Sequence, residues 1–145
     1  METETQTAIN SATDIVTARQ RGRALALELG FNGADVTLIA AAISEVARNI
    51  VDHAKSGEII MGPVHNATNG GRSGIQIIAR DEGPGIADVQ RAMQYGFSTA
   101  GGLGVGLPGA KWLMDEFDID STVGQGTRVT MCKWSRNPAP LVAAI

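Results

Sequence analysis

The sequence predicts an α/β two-layer sandwich, with helices packed on one face of a mainly antiparallel, mixed sheet. Three observations predict it. Two long stretches in the first half repeat apolar residues every three or four positions, and four shorter stretches further on read as strands. A composition of 43% hydrophobic and 19% charged residues is that of a folded chain with one core. With 145 residues, the chain has the size of one domain, expected to span 1–145 with tails at about 1–6 and 136–145.

The elements follow in order. From Ser11 to Leu29, Ile15, Ala18, Gly22, Leu25 and Leu29 recur at helical spacing, with Ser11, Thr13 and Asp14 available as caps and Gly30 as the stop. A second helical pattern runs from about Ala34 to Ala54 and breaks at Ser56-Gly57. Two strand-like runs, Glu58 to Val64 and Gly74 to Arg80, flank the turn-rich NATNGGRS and read as an antiparallel hairpin. A glycine-rich stretch from Asp81 to Gly106 contains a short apolar helix near Ile86 to Met93. Pro108 then opens a helix through about Glu116, because proline suits a first turn. Phe117 to Val123 and Thr127 to Trp134 are strands around the tight turn GQGT, and SRNPAPLVAAI reads as a tail.

Charge and composition narrow the function. A net charge of −3 provides no broad basic field, which argues against a nucleic-acid partner. No run of eighteen apolar residues is present, and METETQTAIN is polar and acidic where a secretory leader is basic and then apolar, so no membrane is implied and the cytoplasm is expected. Cys132 alone cannot form an internal disulfide, and His53 and His65 cannot complete a four-ligand zinc site. Its alternating, strand-like surroundings make Cys132 a buried apolar thiol without a role.

Four segments carry the chemistry. On a helical wheel of the second helix, Val36, Ile39, Ala40, Ile43, Val46, Ala47 and Ile50 share one side, while Glu45, Arg48, Asn49, Asp52 and His53 share the other. Taken alone, the polar side is a solvated face. Yet Glu45 and Asn49 stand one turn apart, an amide oxygen is a sufficient protein ligand for Mg2+ bound to phosphates, and a carboxylate beside it can act as general base. DEGPGI, from Asp81 to Ile86, is by itself a tight turn. Its glycines also let backbone approach a flat base, with Asp81 accepting an amino hydrogen of adenine. GGLGVGLPGA, from Gly101 to Ala110, sets glycines before a helix whose amino end attracts anionic oxygens, without the GK[ST] of a Walker loop. Ser98 and Thr99 precede it as hydroxyl donors. GQGT alone is a hairpin turn, with Thr127 starting a strand. The ordered set of all four points to an ATP pocket.

These segments resemble the motifs of the GHKL ATP-binding superfamily: EVARN the N box, DEGPGI and GGLGVGL the two glycine boxes, and GQGT the last motif. The resemblance covers nearly the whole chain. It is strongest to the anti-sigma-factor type of serine/threonine kinase, through DIVTARQRGRALALELG, ISEVARNI, GFSTAGGLGVGLPGAKWLMDEF and the closing KW. It implies a Bergerat fold, ATP and Mg2+, and phosphoryl transfer to a serine or threonine of a STAS-domain antagonist or scaffold protein of a stressosome. Release to a PP2C-type phosphatase or another output protein would follow.

By that resemblance Glu45 matches the general base, Asn49 the magnesium ligand and Asp81 the adenine contact. Gly83, Gly85 and Ile86 match the base-side loop, Gly101, Gly102, Leu103, Gly104, Val105, Gly106 and Leu107 the phosphate loop with Ser98 and Thr99 in its lid, and Thr127 the hydroxyl near adenine. His53 matches a basic position that approaches phosphate, with a surface histidine as the alternative. Arg19 and Arg23 on the first helix face either an acidic partner patch or solvent. The absence of a phosphoacceptor helix pair disfavours a sensor histidine kinase. Two other readings stay open: a nucleotide-gated binding module with little phosphotransfer, and a self-contained ATP hydrolase.

Overall fold

Helix α1 (Ala12–Glu28) begins after an extended Ser11, where the Asp14 carboxylate accepts the backbone N–H groups of Asn10 and Ser11 at 2.8 and 3.1 Å. An anion there also complements the positive end of the helix dipole. Helix α2 (Gly33–His53) is capped by Asn32, whose side chain accepts the Asp35 N–H at 2.8 Å. These elements come from a computed structural model that describes residues 4–66, 71–93 and 106–135. The helices meet at Gly22, where a Cβ would stand 2.1 Å from Cδ1 of Ile43. Gly22 therefore belongs to the apolar stripe of α1 because it has no side chain to hold α2 away.

Among the described residues five strands form one sheet in the order β1-β2-β3-β5-β4: β1 (Thr5–Ile9), β2 (Gly57–Asn66), β3 (Arg72–Asp81), β4 (Glu116–Thr122) and β5 (Gly126–Trp134). Every pairing among the described residues is antiparallel, so the sheet shows no mixed character there. Alternation sends Ile59, Met61, Ile75, Ile77, Val129 and Met131 to the helix side, where they join Ile39, Ile43, Val46 and Ile50 of α2 in one buried cluster. Each such side chain contributes about 1.5–3 kcal/mol on burial. The seven positions assigned to the core side of α2 are all buried.

The opposite face carries charge. Glu58 accepts from Arg80 and Gln6, and these bonds, that of Arg80 first, hold its carboxyl below the usual carboxylate range. Cys132 lies buried in β5, its thiol pushed up to about 12 by burial, with Glu116 and Asp115 adding to the shift. Such a thiol is inert at neutral pH.

Three expectations need correction. Thr5 and Gln6, assigned to an N-terminal tail, pair with Met61 and Ile60 as part of β1. Arg21 holds that strand, donating to Gln6 O at 3.2 Å and Thr7 Oγ1 at 3.0 Å. The short apolar helix near Ile86 to Met93 is only the single turn α3 (Val89–Ala92). Helix α4 (Gly106–Leu113) starts two residues before Pro108 and stops before Glu116, which pairs with Cys132 as the first residue of β4. No helix among the described residues is long and apolar enough to cross a membrane.

Candidate nucleotide site

Glu45 lies on the polar side of α2 with both carboxylate oxygens engaged. Oε1 accepts from Arg48 Nη1 at 2.8 Å, and Oε2 accepts the backbone N–H of Gly106 at 2.7 Å. The second bond spans from α2 to the first residue of α4. At the other end of α4, buried Lys133 donates through Nζ to Leu113 O at 2.8 Å. An anion at the amino end and a cation at the carboxyl end both complement the helix dipole. Asn49 is half-buried one turn beyond Glu45, and His53 is exposed in the last turn of α2.

A second cluster forms at the end of the sheet. Asp81 closes β3 and is paired with Thr127 of β5, which is paired in turn with Ser121 of β4. Directly opposed residues share a face with Cβ atoms about 5 Å apart, so the three side chains stand in one row. Asp81 Oδ1 accepts the Gly83 N–H at 2.9 Å. At Gly83 a Cβ would come 2.6 Å from that of Ala54, so the loop after Asp81 runs against the end of α2.

Two glycines of this corner are required by conformation. Gly85 has φ +77° and a Cβ there would lie 2.4 Å from Thr122 O, while Gly126 has φ +116° and its Cβ would lie 2.1 Å from Asp81 O. Ser121 Oγ accepts the Ile86 N–H at 2.8 Å and lies 2.8 Å from Thr127 Oγ1 and 3.2 Å from Gly126 O. An open cleft of about 720 Å³ on the β2 side, bordered by Asn10, Ser56 and Arg80, shares Asp81 with this row.

The sequence-derived residues divide accordingly. Asp81, Gly83, Gly85, Ile86 and Thr127 meet at the sheet corner, and Glu45 meets Gly106 at the start of α4. Ile86 packs its side chain against the core and Leu107 is buried within it, so their side chains serve packing. Ser98, Thr99, Gly101, Gly102, Leu103, Gly104 and Val105 lie outside the described residues. Arg48 and Ser121 are additional members. Arg48 sat on the polar side of the helical wheel without a task, and Ser121 precedes GQGT at the alternating position that faces Thr127.

The sheet corner fits the amino group of a nucleotide base, since it offers a carboxylate acceptor among close-approaching backbone. Among the described residues no three His, Cys, Asp or Glu side chains cluster as a metal site.

Residues 10–133 match the histidine kinase-like ATPase domain. The chain belongs to that family. It is 51% identical over 123 residues to the serine/threonine-protein kinase RsbT of Bacillus subtilis (strain 168), covering 85% of this chain and 90% of that protein. It is 32% identical over 120 residues to the anti-sigma F factor of Thermoanaerobacter sp. (strain X514), covering 81% and 82%. A crystal structure of the RsbU and RsbW domains of Rv1364c from Mycobacterium tuberculosis shares the fold, with a TM-score of 0.61 and 23% identity over 95% of this chain and 34% of that one. As a member of the histidine kinase-like ATPase family with this likeness to RsbT, the chain is an ATP-dependent serine/threonine protein kinase.

Proposed function

We propose that this kinase transfers the γ-phosphoryl group of Mg-ATP to a serine or threonine of a STAS-domain antagonist or scaffold protein of a stressosome. It then exchanges that partner for a PP2C-type phosphatase or another output protein, in the cytoplasm. Likeness to RsbT and to an anti-sigma factor supports a kinase that switches partners. The observation that carries the catalytic reading is the bond from Gly106 N–H to Glu45, which fixes a carboxylate at the start of α4.

Mg-ATP supplies the phosphoryl group when bound. Glu45 accepts the proton of the attacking hydroxyl; each of its oxygens already takes one hydrogen bond and keeps a lone pair for this purpose. Arg48 and the Gly106 N–H orient that carboxylate. Asn49 would offer its amide oxygen to the metal, and Asp81, paired with Thr127, would accept from the amino group of the base. The transferred group leaves ADP, and the new bond joins phosphorus to the partner's hydroxyl oxygen.

The test incubates the chain with labelled Mg-ATP and a STAS-domain protein, and measures nucleotide affinity separately. Glu45→Gln keeps an oxygen for the Gly106 N–H but no base, so transfer is expected to fall by about 10²–10⁴-fold with nucleotide affinity little changed. Transfer at the wild-type rate would remove Glu45 from the chemistry. A wild-type chain that binds ATP and the STAS protein yet labels no side chain would sink the proposed substrate.

A further inference from the structure

Ser121 presents a hydrogen-bond count with one complete solution. A serine hydroxyl has one proton and two lone pairs, an N–H only donates and a carbonyl only accepts. Ser121 Oγ has three partners in reach: Ile86 N–H, Gly126 O and the Thr127 hydroxyl. All three contacts are made only if Ser121 accepts from Ile86 and Thr127 and donates to Gly126. The Thr127 proton is then committed to Ser121. The Thr127 oxygen keeps only lone pairs for anything else that reaches it, and its cross-strand neighbour is the Asp81 carboxylate, another acceptor.

We infer that Ser121 is a positioning residue that determines purine specificity, by fixing the Thr127 hydroxyl as an acceptor beside Asp81. The inference rests on reading this corner as the base site. Two adjacent acceptors suit a purine with a 6-amino group, which brings protons, and oppose a 6-oxo purine, whose oxygen brings lone pairs. Discrimination is strong where a wrong ligand leaves buried polar groups facing each other unpaired. Thr127 is 7% exposed, so water does little to relieve such a mismatch.

Affinities for ATP and for GTP, measured by calorimetry, test this through their ratio. Ser121→Ala deprives Ile86 N–H of its acceptor, so affinity for both nucleotides falls. It also frees the Thr127 proton to turn toward a 6-oxo group, so the preference for ATP over GTP is expected to shrink about tenfold. Ser121→Thr retains the hydroxyl and the wild-type ratio. Thr127→Val removes the acceptor with Ser121 still holding Ile86, and is expected to narrow the preference similarly, which keeps the test open if Ser121→Ala does not fold. A ratio unchanged in Ser121→Ala or in Thr127→Val overturns the inference while the base site stands. A wild-type chain that binds neither nucleotide overturns both.

Discussion

The two ends of the proposed nucleotide site are built by different means. At the base end, Asp81, Thr127 and Ser121 are paired residues of adjacent strands, and the loop after Asp81 lies against backbone at Gly85 and Gly126. At the proposed phosphate end, α4 is slung between two charged side chains, Glu45 at its start and Lys133 at its finish. Backbone contact without slack makes the base end a property of the sheet. The phosphate end depends on side chains that a single substitution can alter while the fold is kept, so the two should respond differently to mutation.

The largest contrast is expected at Gly126. Gly126→Ala combines a left-handed backbone with a Cβ placed against Asp81 O, and should lower the free energy of unfolding by about 3 kcal/mol in a denaturant titration. A loss below about 1 kcal/mol would show that the sheet corner yields as a side chain does. Next comes Asp81→Asn. Its amide oxygen still accepts the Gly83 N–H, so folding is retained while nucleotide binding weakens by about 1.5–3 kcal/mol in calorimetry. Unchanged affinity would take Asp81 out of the pocket. The smallest effect belongs to Gly106→Ala: φ is +69°, but among the described residues the nearest contact of a Cβ is Pro108 Cδ at an ordinary 3.7 Å, and the N–H that meets Glu45 remains. About 1 kcal/mol of stability is expected from strain alone. A loss equal to that of Gly126→Ala would erase the distinction between the two ends.

Much of this was legible in the sequence, for physical reasons. The apolar period of α2 identified its core side residue by residue, because a helix fixes which side chains share a face. The close turn after Asp81 was readable from its glycines, since few other residues tolerate such close backbone. Strand β1 was missed because only Thr7 and Ile9 of its five residues are buried, and the alternation of a short edge strand with threonine inside is faint. Ser121 escaped for a different reason. A serine before a turn is unremarkable until register places it opposite Thr127, and register is set by pairing between distant segments. The tie from Glu45 to Gly106 likewise joins positions 61 residues apart, which local periodicity cannot bring together.

The strand order has a consequence for how the chain reaches this state. Strands β2 and β3 are neighbours in sequence, as are β4 and β5, so each hairpin closes a short loop. The β3–β5 seam is different: α3, α4 and β4 all intervene, so that, as at the β1–β2 pairing across α1 and α2, a long segment has to be closed. Asp81 stands on one bank of the seam and Thr127 with Ser121 on the other. On the proposed reading, a base held by both banks registers whether these two parts of the sheet have met, and its binding energy helps offset the entropy of closing that long segment.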